Sequence, residues 1–352
     1  MSQQAAIQQE RATRVIKCVI WDLDNTLWDG TLIEDAQVHL RTHVIEIIKT
    51  LDARGILNSI ASKNDYTTTM QKLHDLGIAE YFLYPQISWN AKSTSIEAIA
   101  KSINIGRDTL AFVDDQGFER DEVAHIYPEV LCLDIPDLEH ILERPEMNPR
   151  FITEDSALRR TMYMSDIQRN HAEKEYVGPT EEFLATLQMT FSITSAREED
   201  LQRAEELTMR THQLNTTGYT YSYDELNTFR LSPDYQLLIA GLEDKYGTYG
   251  KIGVTLLHCE KDCWTLKLLL MSCRVMSRGV GNIMIGYIMR KAKEAGVSLR
   301  AEFVPNEKNR MMLITYKLGG FREIGKKDNI LIFEHDMTNI APVPPYVTLH
   351  LN

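Results

Sequence analysis

Two carboxylates near the start of the chain, with a single residue between them, form its strongest chemical signal. Asp22 and Asp24 follow residues 15–21, a compact apolar stretch rich in β-branched side chains, and Thr26 comes two residues later. At the end of a strand, this spacing allows one carboxylate to act as a nucleophile while the other handles the proton of a leaving group. The alternative is that both aspartates only cap a strand-to-helix turn.

Further polar groups occur at the ends of later predicted elements. Ser62 closes one predicted strand, Lys92 opens a helix, and Asp114 and Asp115 close another strand. The hydroxyl and the ammonium group suit phosphoryl oxygens, and clustered carboxylates suit a hard cation such as Mg²⁺. Because functional groups of parallel sheets gather beyond the carboxyl ends of the strands, we expect these side chains to meet Asp22 there.

A cysteine in the second half of the chain is another candidate for chemistry. Cys273 lies at the predicted junction between a strand at 263–270 and a helix that opens near Gly279, and Arg274 and Arg278 lie between it and that glycine. Backbone N–H groups at a helix start and nearby guanidinium groups favour a thiolate over a thiol. The alternative is a buried, inert cysteine.

The elements that must position the aspartates alternate between strand and helix, which is typical of a parallel sheet covered by helices. The predicted strands are 15–21, 56–61, 81–84, 110–113 and 130–133, and the predicted helices are 44–54, 66–76 and 93–103. Single helices and short loops fill the gaps between Asp24, Ser62 and Lys92, which leaves no room for a large lid domain. We therefore expect an open site that something else must cover.

A run of helix-breaking residues, Arg-Pro-Glu-Met-Asn-Pro at 144–149, separates two differently patterned halves. We predict one domain at 15–144, a linker with a helix at 145–179, a second domain at 180–338 and an extended tail at 339–352. The second domain has a mixed α+β pattern. Its predicted helices are 198–211, one opening near 279, and 308–318, and its predicted strands are 235–240, 253–258, 263–270, 299–303 and 330–334.

Composition excludes several classes of protein. The 352 residues are 43% hydrophobic and 25% charged, which is ordinary for a folded chain. The net charge of −12 excludes a chain-wide basic surface for nucleic acid, and no apolar run approaches the roughly 20 residues of a membrane span. Residues 1–14 lack the apolar core of a signal peptide, and the five cysteines form no CxxC pair. We expect a cytoplasmic protein that binds neither nucleic acid nor membrane.

Positive charge is concentrated in one part of the chain. Residues 271–330 contain twelve Lys and Arg against five Asp and Glu, a local net charge of +7. This window is either a set of solvated helix faces or a local site for phosphate or an acidic partner.

The order Asp-x-Asp-x-Thr, Ser, Lys and Asp-Asp resembles the four motifs of the haloacid dehalogenase (HAD) superfamily of phosphoryl-transfer enzymes. The resemblance implies that Asp22 attacks phosphorus to form an aspartyl-phosphate and that Asp24 acts first as general acid and then as general base. Thr26 would help to shape the loop, and Ser62 and Lys92 would hold the phosphoryl group. The implied Mg²⁺ ligands are Asp22, Asp24 through its backbone carbonyl, Asp114, and Asp115 as a further ligand or a neighbour of one.

Residues 304–321 resemble the end of a GCN5-related N-acyltransferase (GNAT) domain, a fold in which two splayed strands admit a pantetheine arm. Asn309 lies in this segment and is a candidate for substrate binding. Gly279 and Gly281 match the glycine loop of such domains, but Met276 occupies its basic position. We therefore expect the pantetheine arm of a carrier protein, which needs no adenine pocket, in place of coenzyme A.

Residues 15–338 as a whole resemble the FkbH-like family of polyketide biosynthesis. The segments that carry the resemblance are VIWDLDNTLWDG at 19–30, VDDQGFER at 113–120, RTHQLN at 210–215 and LLMSCRVMSRG at 269–279. The resemblance implies an enzyme that removes phosphate from 1,3-bisphosphoglycerate and loads the glyceryl group onto the thiol of a holo acyl carrier protein. His212, which stands where the family has Asn, joins Arg274 and Arg278 as a candidate for substrate binding.

An acyl phosphate is an activated carboxyl group, so a thiolate can attack it without ATP. We expect Cys273 to attack the C1 carbonyl, release inorganic phosphate and pass the acyl group to the carrier thiol. Asp22 with Mg²⁺ would remove the C3 phosphate, and the order of the two steps is left open. Two alternatives remain: a phosphatase fused to a coenzyme A-dependent N-acetyltransferase, and a non-catalytic module that docks carrier proteins. The imperfect glycine loop counts against the first, and the pair formed by Asp22 and Asp24 counts against the second.

Overall fold

The computed structural model describes residues 15–35 and 37–351, so the expectation about residues 1–14 lies outside the described part of the chain. The chain divides into two compact units, one ending at Met164 and the other beginning at Ser165. This division falls within the predicted linker at 145–179. The limits of the domains and the tail stay predictions.

The first unit alternates strands and helices as its sequence predicts. Its elements are β1 (Cys18–Trp21), β2 (Trp28–Asp29), β3 (His39–Leu40), α1 (Thr42–Ala53), β4 (Leu57–Ser62), α2 (Tyr66–Asp75), β5 (Gln86–Ile87), α3 (Lys92–Ile103), β6 (Leu110–Val113), α4 (Gly117–Ile126), β7 (Leu131–Leu133) and α5 (Glu154–Ala157). Short 3-10 helices occur at Ala79–Tyr81, Arg107–Thr109, Ile135–Glu143 and Pro145–Met147.

A five-stranded parallel sheet with the order β5-β4-β1-β6-β7 forms the centre of this unit. The middle strand β1 pairs with β4 and β6, and its four residues are completely buried. Strands buried on both faces read as continuous apolar runs, which is why residues 15–21 are so apolar. Within the described residues, the segment between β1 and β4 adds only the small β2–β3 pair and α1. The predicted α/β class, with a Rossmannoid parallel sheet and no large cap, is confirmed.

Helix α1 shows why the periodicity of this region is informative. Val44, Ile47, Ile48 and Leu51 recur at spacings of three and four residues, and all four are buried. Gly55 follows the helix with a φ of +71°, a left-handed conformation that glycine adopts without a steric penalty. The predicted C-terminal glycine of this helix therefore has the conformation that ends a helix.

One predicted strand of the first unit is wrong. Residues 81–84 do not form a strand; Phe82 makes only an isolated parallel bridge to the sheet. Tyr84 has a φ of +51°, and Pro85, which follows it, has no N–H to donate to a ladder. The edge strand therefore forms two residues later, as β5.

The second unit is the larger of the two and begins within a helix. Its elements are α6 (Arg159–Glu175), which begins before the division, α7 (Thr180–Thr186), β8 (Met189–Ser195), α8 (Leu201–Arg210), α9 (Tyr223–Leu231), β9 (Tyr235–Asp244), β10 (Gly247–Cys259), β11 (Cys263–Met271), α10 (Val280–Ala295), β12 (Ser298–Phe303), α11 (Arg310–Leu318), β13 (Arg322–Lys327), β14 (Ile330–His335) and β15 (Val347–Leu351). No helix in the described parts of the chain has the length and apolar character needed to cross a membrane.

A mixed eight-stranded sheet with the order β13-β14-β12-β11-β10-β9-β8-β15 forms the second unit. The pairs β11–β12 and β15–β8 are parallel, and the other pairs are antiparallel. The predicted α+β class is confirmed. The sequence patterns did not reveal α4 in the first unit, nor α7, β8, α9, β13 or β15 in the second. Strand β15 lies in the proline-rich tail and is placed only by its pairing with β8.

Candidate functional site

Three carboxylates converge beyond the carboxyl ends of β1 and β6. The Asp22 N–H donates to the Val113 carbonyl at 2.8 Å, which carries the pairing of these strands one residue past Trp21. Asp22 and Asp114 are buried side by side as a result. Oxygens of Asp22, Asp114 and Asp115 all lie within 4.8 Å of one another. The structure thus brings together three of the four residues predicted to ligate a metal.

A buried ammonium group joins two of these carboxylates. Lys92 is the first residue of α3, and its Nζ contacts the Asp22 carboxylate, lies 3.0 Å from Asp114 Oδ2 and donates to the Ala61 carbonyl at 2.8 Å. Burial lowers the pKa of Lys92, but the two carboxylates outweigh this effect and raise it above its usual value. Lys92 therefore stays charged where the sequence predicted a phosphate-binding ammonium group.

Burial and two neighbouring charges act in opposite directions on the pKa of the Asp22 carboxyl. Burial raises its pKa, the charge of Lys92 lowers it, and the charge of Asp114 raises it again, to about 7. A further positive charge beside Asp22 favours the carboxylate form, which is the form that can act as a nucleophile. The protein by itself supplies less positive charge than its three carboxylates need.

The donor set fits a magnesium ion. Asp115 Oδ1 is buried and accepts no hydrogen bond from any described residue. Burial, and then the charge of Asp114, raise the pKa of Asp115. The Gln116 N–H holds Asp114 Oδ1 at 2.8 Å, so one oxygen of that carboxylate is oriented by the backbone. Hard carboxylate oxygens that lack partners and carry excess negative charge are the ligands that Mg²⁺ prefers.

Asp24 lies outside this cluster and has its own partners. Its Oδ1 accepts from the Trp28 indole N–H at 2.8 Å and from the Leu32 N–H at 3.0 Å, and its Oδ2 accepts from the Asn64 amide at 3.0 Å. The side chain is half-buried, so three donors orient it while it keeps access to solvent. Its roles as a general acid and base, and as a metal ligand through its carbonyl, stay predictions.

The two hydroxyl groups that the sequence singled out are buried at the same edge of the sheet. Ser62 ends β4, and its Oγ accepts from the Asn64 amide at 3.2 Å. Thr26 Oγ1 accepts from the Asp115 N–H at 3.2 Å, so it ties the loop after β1 to the loop after β6. A contact of this kind, which joins the two loops, is what the predicted loop-shaping role of Thr26 requires.

Sequence reasoning missed Asn64, which links two predicted site residues. It is buried and donates to both Asp24 and Ser62, while its Oδ1 accepts no hydrogen bond within the described residues. A usable signal was present, because Asn64 follows Ser62 by two residues, as Asp24 follows Asp22.

Several exposed apolar side chains lie in the segments that follow strands of the first unit. Ile33, Tyr66, Trp89 and Phe118 follow the carboxyl ends of four different strands and are 60%, 52%, 68% and 76% exposed. An ion pair between Lys63 and Glu119 joins the loops next to Tyr66 and Phe118. The open site expected from the short connections stays a prediction, because Asp22, Lys92 and Asp114 are themselves almost fully buried.

In the second unit, the region before Cys273 is organised by two diverging strands. Strands β11 and β12 pair only over Cys263–Leu266 and Ser298–Ala301. Beyond this, residues 214–216 take the place of β12 beside β11. The Thr216 N–H donates to the Leu269 carbonyl at 3.1 Å, and the Met271 N–H donates to the Leu214 carbonyl at 2.9 Å.

The same segment also bonds to the other strand. The Val304 N–H, just past β12, donates to the Thr216 carbonyl at 3.0 Å, and the buried Asn309 amide donates to the carbonyls of Val304 and Asn215 at 2.9 and 3.1 Å. The cleft expected from the resemblance is therefore filled by the chain itself beside Leu269. Asn309 anchors this filling segment, and its predicted contact with substrate stays a prediction.

Cys273 lies two residues beyond β11 and is half-buried. It begins a single 3-10 turn, Cys273–Val275, and α10 starts only at Val280, after Gly279 with a φ of +73°. Six residues separate Cys273 from α10, so the thiol lies at the start of the short 3-10 turn and not at the start of that helix. The stabilisation of a thiolate at this position stays a prediction. Cys273 is not sealed in the core, so its accessibility agrees with a nucleophilic role.

The remaining predicted side chains of this unit lie in different surroundings. Arg274 donates to the Tyr249 carbonyl at 2.8 Å, and Arg278 is buried and donates to Glu173 at 3.0 Å. His212 is exposed in the loop that follows α8. The two guanidinium groups are thus fixed by the protein, and substrate binding by all three residues stays a prediction.

Comparison with known proteins gives partial likenesses. No protein-family model matches the chain, and no curated protein matches it. Among solved structures, it is similar to the N-terminal part of the protein BF1531 from Bacteroides fragilis, described as containing a phosphatase domain complexed with Mg. The identity is 30%, the TM-score is 0.33, and the match covers 41% of this chain and 42% of that one. The chain thus spans less than half the length of that protein.

Other similar structures are acetyltransferases. The ribosomal-protein-S18-alanine N-acetyltransferase from Escherichia coli is 17% identical, with a TM-score of 0.33, over 41% of this chain and 92% of that one. The PaiA N-acetyltransferase from Thermoplasma acidophilum, in complex with coenzyme A, is 15% identical, with a TM-score of 0.33, over 41% and 98%. Matches at these TM-scores assign no activity, so a functional conclusion rests on the geometry of the site.

Proposed function

We propose that the chain is a Mg²⁺-dependent phosphatase of the HAD type joined to an acyltransferase that loads a glyceryl group from 1,3-bisphosphoglycerate onto a holo acyl carrier protein. One observation carries the proposal: three carboxylates have oxygens within 4.8 Å of one another, and a buried ammonium group pairs with two of them. Such a site attracts a divalent cation and, with it, a phosphoryl group. The order of its motifs supports the HAD type, and the FkbH-like resemblance supports the substrate and the partner.

In the phosphatase step, the Asp22 carboxylate attacks phosphorus and the ester oxygen leaves. Asp24 protonates that oxygen, and the bond from phosphorus to Asp22 replaces the broken ester bond. Asp24 then takes a proton from water, which hydrolyses the aspartyl-phosphate and regenerates Asp22. Lys92 and Ser62 hold phosphoryl oxygens during both transfers. Asp22, Asp114 and Asp115 would hold Mg²⁺, which would neutralise charge on the phosphoryl oxygens.

In the transfer step, the Cys273 sulfur attacks the C1 carbonyl of the acyl phosphate. The bond from carbon to the phosphate oxygen breaks, and inorganic phosphate leaves as the thioester forms. The carrier thiol then attacks this thioester and takes the acyl group. The bond from the acyl carbon to the Cys273 sulfur breaks, and the proton of the carrier thiol passes to that sulfur. Each step exchanges one activated acyl bond for another, so neither requires ATP.

Intact-mass analysis of a holo carrier protein tests both halves together. The chain is incubated with Mg²⁺, 1,3-bisphosphoglycerate and the carrier, and the expected product is a carrier bearing one glyceryl group. Asp22→Asn should abolish phosphate removal, so that any loaded carrier retains its phosphate, whereas Asp121→Asn, an exposed control on α4, should behave as the wild type. Cys273→Ala should leave the carrier unloaded, and Cys263→Ala should not.

The same experiment separates the proposal from its rivals. A carrier that stays unmodified with the wild-type chain contradicts the transferase half. Acetylation of an added amine with acetyl coenzyme A would instead identify an N-acetyltransferase. Absence of any Mg²⁺-dependent phosphate release would identify a docking module without phosphatase activity.

A further inference from the structure

Helix α11 presents an apolar face to solvent. Met311, Ile314 and Leu318 are 44%, 37% and 80% exposed, and their spacings of three and four residues place them on one side of the helix. Met312 and Tyr316 occupy the opposite side and are buried. The helix therefore packs into the unit with one face and leaves a second apolar face uncovered.

Exposed cations lie on α11 and on the edge strand that follows it. Lys308, Arg310 and Lys317 lie on or next to α11, and Lys326 and Lys327 lie on the adjoining edge strand β13; all five are exposed. Within the described part of the chain, none of these five side chains forms an ion pair. Their neighbours in sequence include only three acids, which are Glu307, Glu323 and Asp328. A basic surface of this kind is unusual in a chain with a net charge of −12.

The helix and the edge strand form one continuous surface. A turn of three residues joins them, with Gly320 at a φ of +89°. The Tyr316 ring lies 5.2 Å from Phe321 and 5.9 Å from Phe333 on β14, so the helix packs directly on this end of the sheet. Strand β13 pairs with β14 on one side only, and lysines on an edge strand discourage pairing of its outer edge with other strands. They do not explain the apolar face of α11.

The position of α11 connects this surface to Cys273. Asn309, which precedes the helix, holds the segment at 214–216, and that segment pairs with β11 at Leu269 and Met271. Cys273 follows two residues after Met271. Through these hydrogen bonds, the residue that precedes α11 is linked to the strand that ends two residues before Cys273.

We propose that α11 and β13 form the docking surface for an acidic helix of the carrier protein, an inference that rests on the proposed transfer to such a carrier. Apolar side chains of the partner helix cover Met311, Ile314 and Leu318. Its carboxylates pair with the cations of the rim, including Arg310 and Lys317, and the complementary charges speed association and fix the orientation. Charge complementarity selects this occupant, because an overall acidic second copy of the chain would not be attracted as a whole.

The test measures carrier loading as a function of carrier concentration. Arg310→Glu/Lys317→Glu should raise KM for the holo carrier by about tenfold or more, leave kcat unchanged and reduce the dependence of the rate on salt. Leu318→Ser should also raise KM without changing the salt dependence. Lys261→Glu is the matched control, because Lys261 is exposed at the opposite end of β11, and it should behave as the wild type.

Two readouts keep failure of the docking surface separate from failure of the proposed function. Formation of the acyl-enzyme at Cys273 needs no carrier and should be the same in all variants. If the wild-type chain loads the carrier and the double variant behaves as Lys261→Glu, the docking proposal is overturned while the function stands. If the wild-type chain loads no carrier, both are overturned. A wild-type dimer that Leu318→Ser converts to a monomer would make this face a self-interface and would also overturn the proposal.

Discussion

At the scale of single residues, the account depends on an imbalance of charge. Asp22, Asp114 and Asp115 face the ammonium group of Lys92, and two of the three carboxylates have raised pKa values chiefly because they are buried. A buried group that remains charged requires a partner of opposite charge. Lys92 supplies part of that charge, and the cation proposed for the site supplies the rest.

Removing the ammonium group should destabilise the protein strongly. Lys92→Met leaves Asp22 and Asp114 buried without their shared partner, and the loss of one partner from a buried pair costs about 3–5 kcal/mol of unfolding free energy. Thermal unfolding in the presence of EDTA measures the change, and added Mg²⁺ should restore part of it. Lys101→Met is the control: its side chain is 75% exposed, and we expect a cost of about 1 kcal/mol or less. Equal effects of the two substitutions would contradict the buried ion pairs of Lys92 with Asp22 and Asp114.

Asp24 can be tested through the leaving group. Asp24→Asn keeps a side chain of the same shape but cannot donate a proton, so hydrolysis of an alkyl phosphate should fall by about 10²–10⁴-fold. Release of p-nitrophenol in the first turnover should fall less, because this leaving group needs no proton. Rapid-mixing measurement of the first turnover on the two esters, before hydrolysis of the aspartyl-phosphate limits the rate, provides the comparison. Equal losses for both would assign Asp24 a role in positioning alone.

At the scale of elements, local sequence patterns placed the site, but contacts distant in sequence completed it. Continuous apolar runs predicted β1 and β6 at the right places, and with them the positions of Asp22 and Asp114. The pairing of residues 214–216 with β11 has no local signature, because it depends on where β11 and β12 diverge. Asn64 has only a weak local signal, its position two residues after Ser62, because folding alone brings its amide to Asp24.

The segment that fills the diverging strands makes a measurable contribution to stability. Thr216 Oγ1 accepts from the buried Leu269 N–H at 3.0 Å, and Thr216→Val removes this acceptor without changing the shape of the side chain. An unsatisfied buried donor costs about 1–3 kcal/mol, which urea unfolding can detect. Thr217→Val, in the next and less buried position, should change the unfolding free energy by less than about 1 kcal/mol. A neutral Thr216→Val would show that the segment is not part of the folded core.

At the scale of the whole molecule, the chain joins two units that each have a core of their own. The core of the parallel sheet contains Trp21, Val113 and Leu133, and that of the mixed sheet contains Phe191, Leu269 and Phe333. The proposed function assigns phosphoryl chemistry to the edge of one sheet and acyl chemistry to a strand end of the other. The fold alone specifies neither activity, so both assignments depend on the site residues and on family resemblance.

Magnesium should stabilise only one of the units. Differential scanning calorimetry should resolve two transitions, and Mg²⁺ at 100 times its Kd should stabilise one of them by about 2.7 kcal/mol. Asp114→Asn should abolish this shift without moving the other transition. A shift of both transitions, or a shift that survives Asp114→Asn, would place the cation elsewhere.

The central claim, that Asp22 is the nucleophile of a Mg²⁺-dependent phosphatase, is tested most directly by trapping its phosphorylated form. Asp24→Asn should slow hydrolysis of the intermediate, so the variant is mixed with p-nitrophenyl phosphate and Mg²⁺, quenched and reduced with borohydride, which converts an aspartyl-phosphate to homoserine. Peptide mass spectrometry should find homoserine at position 22 and at no other aspartate. Release of p-nitrophenol with Asp22 unmodified, or homoserine at a different position, would contradict the account.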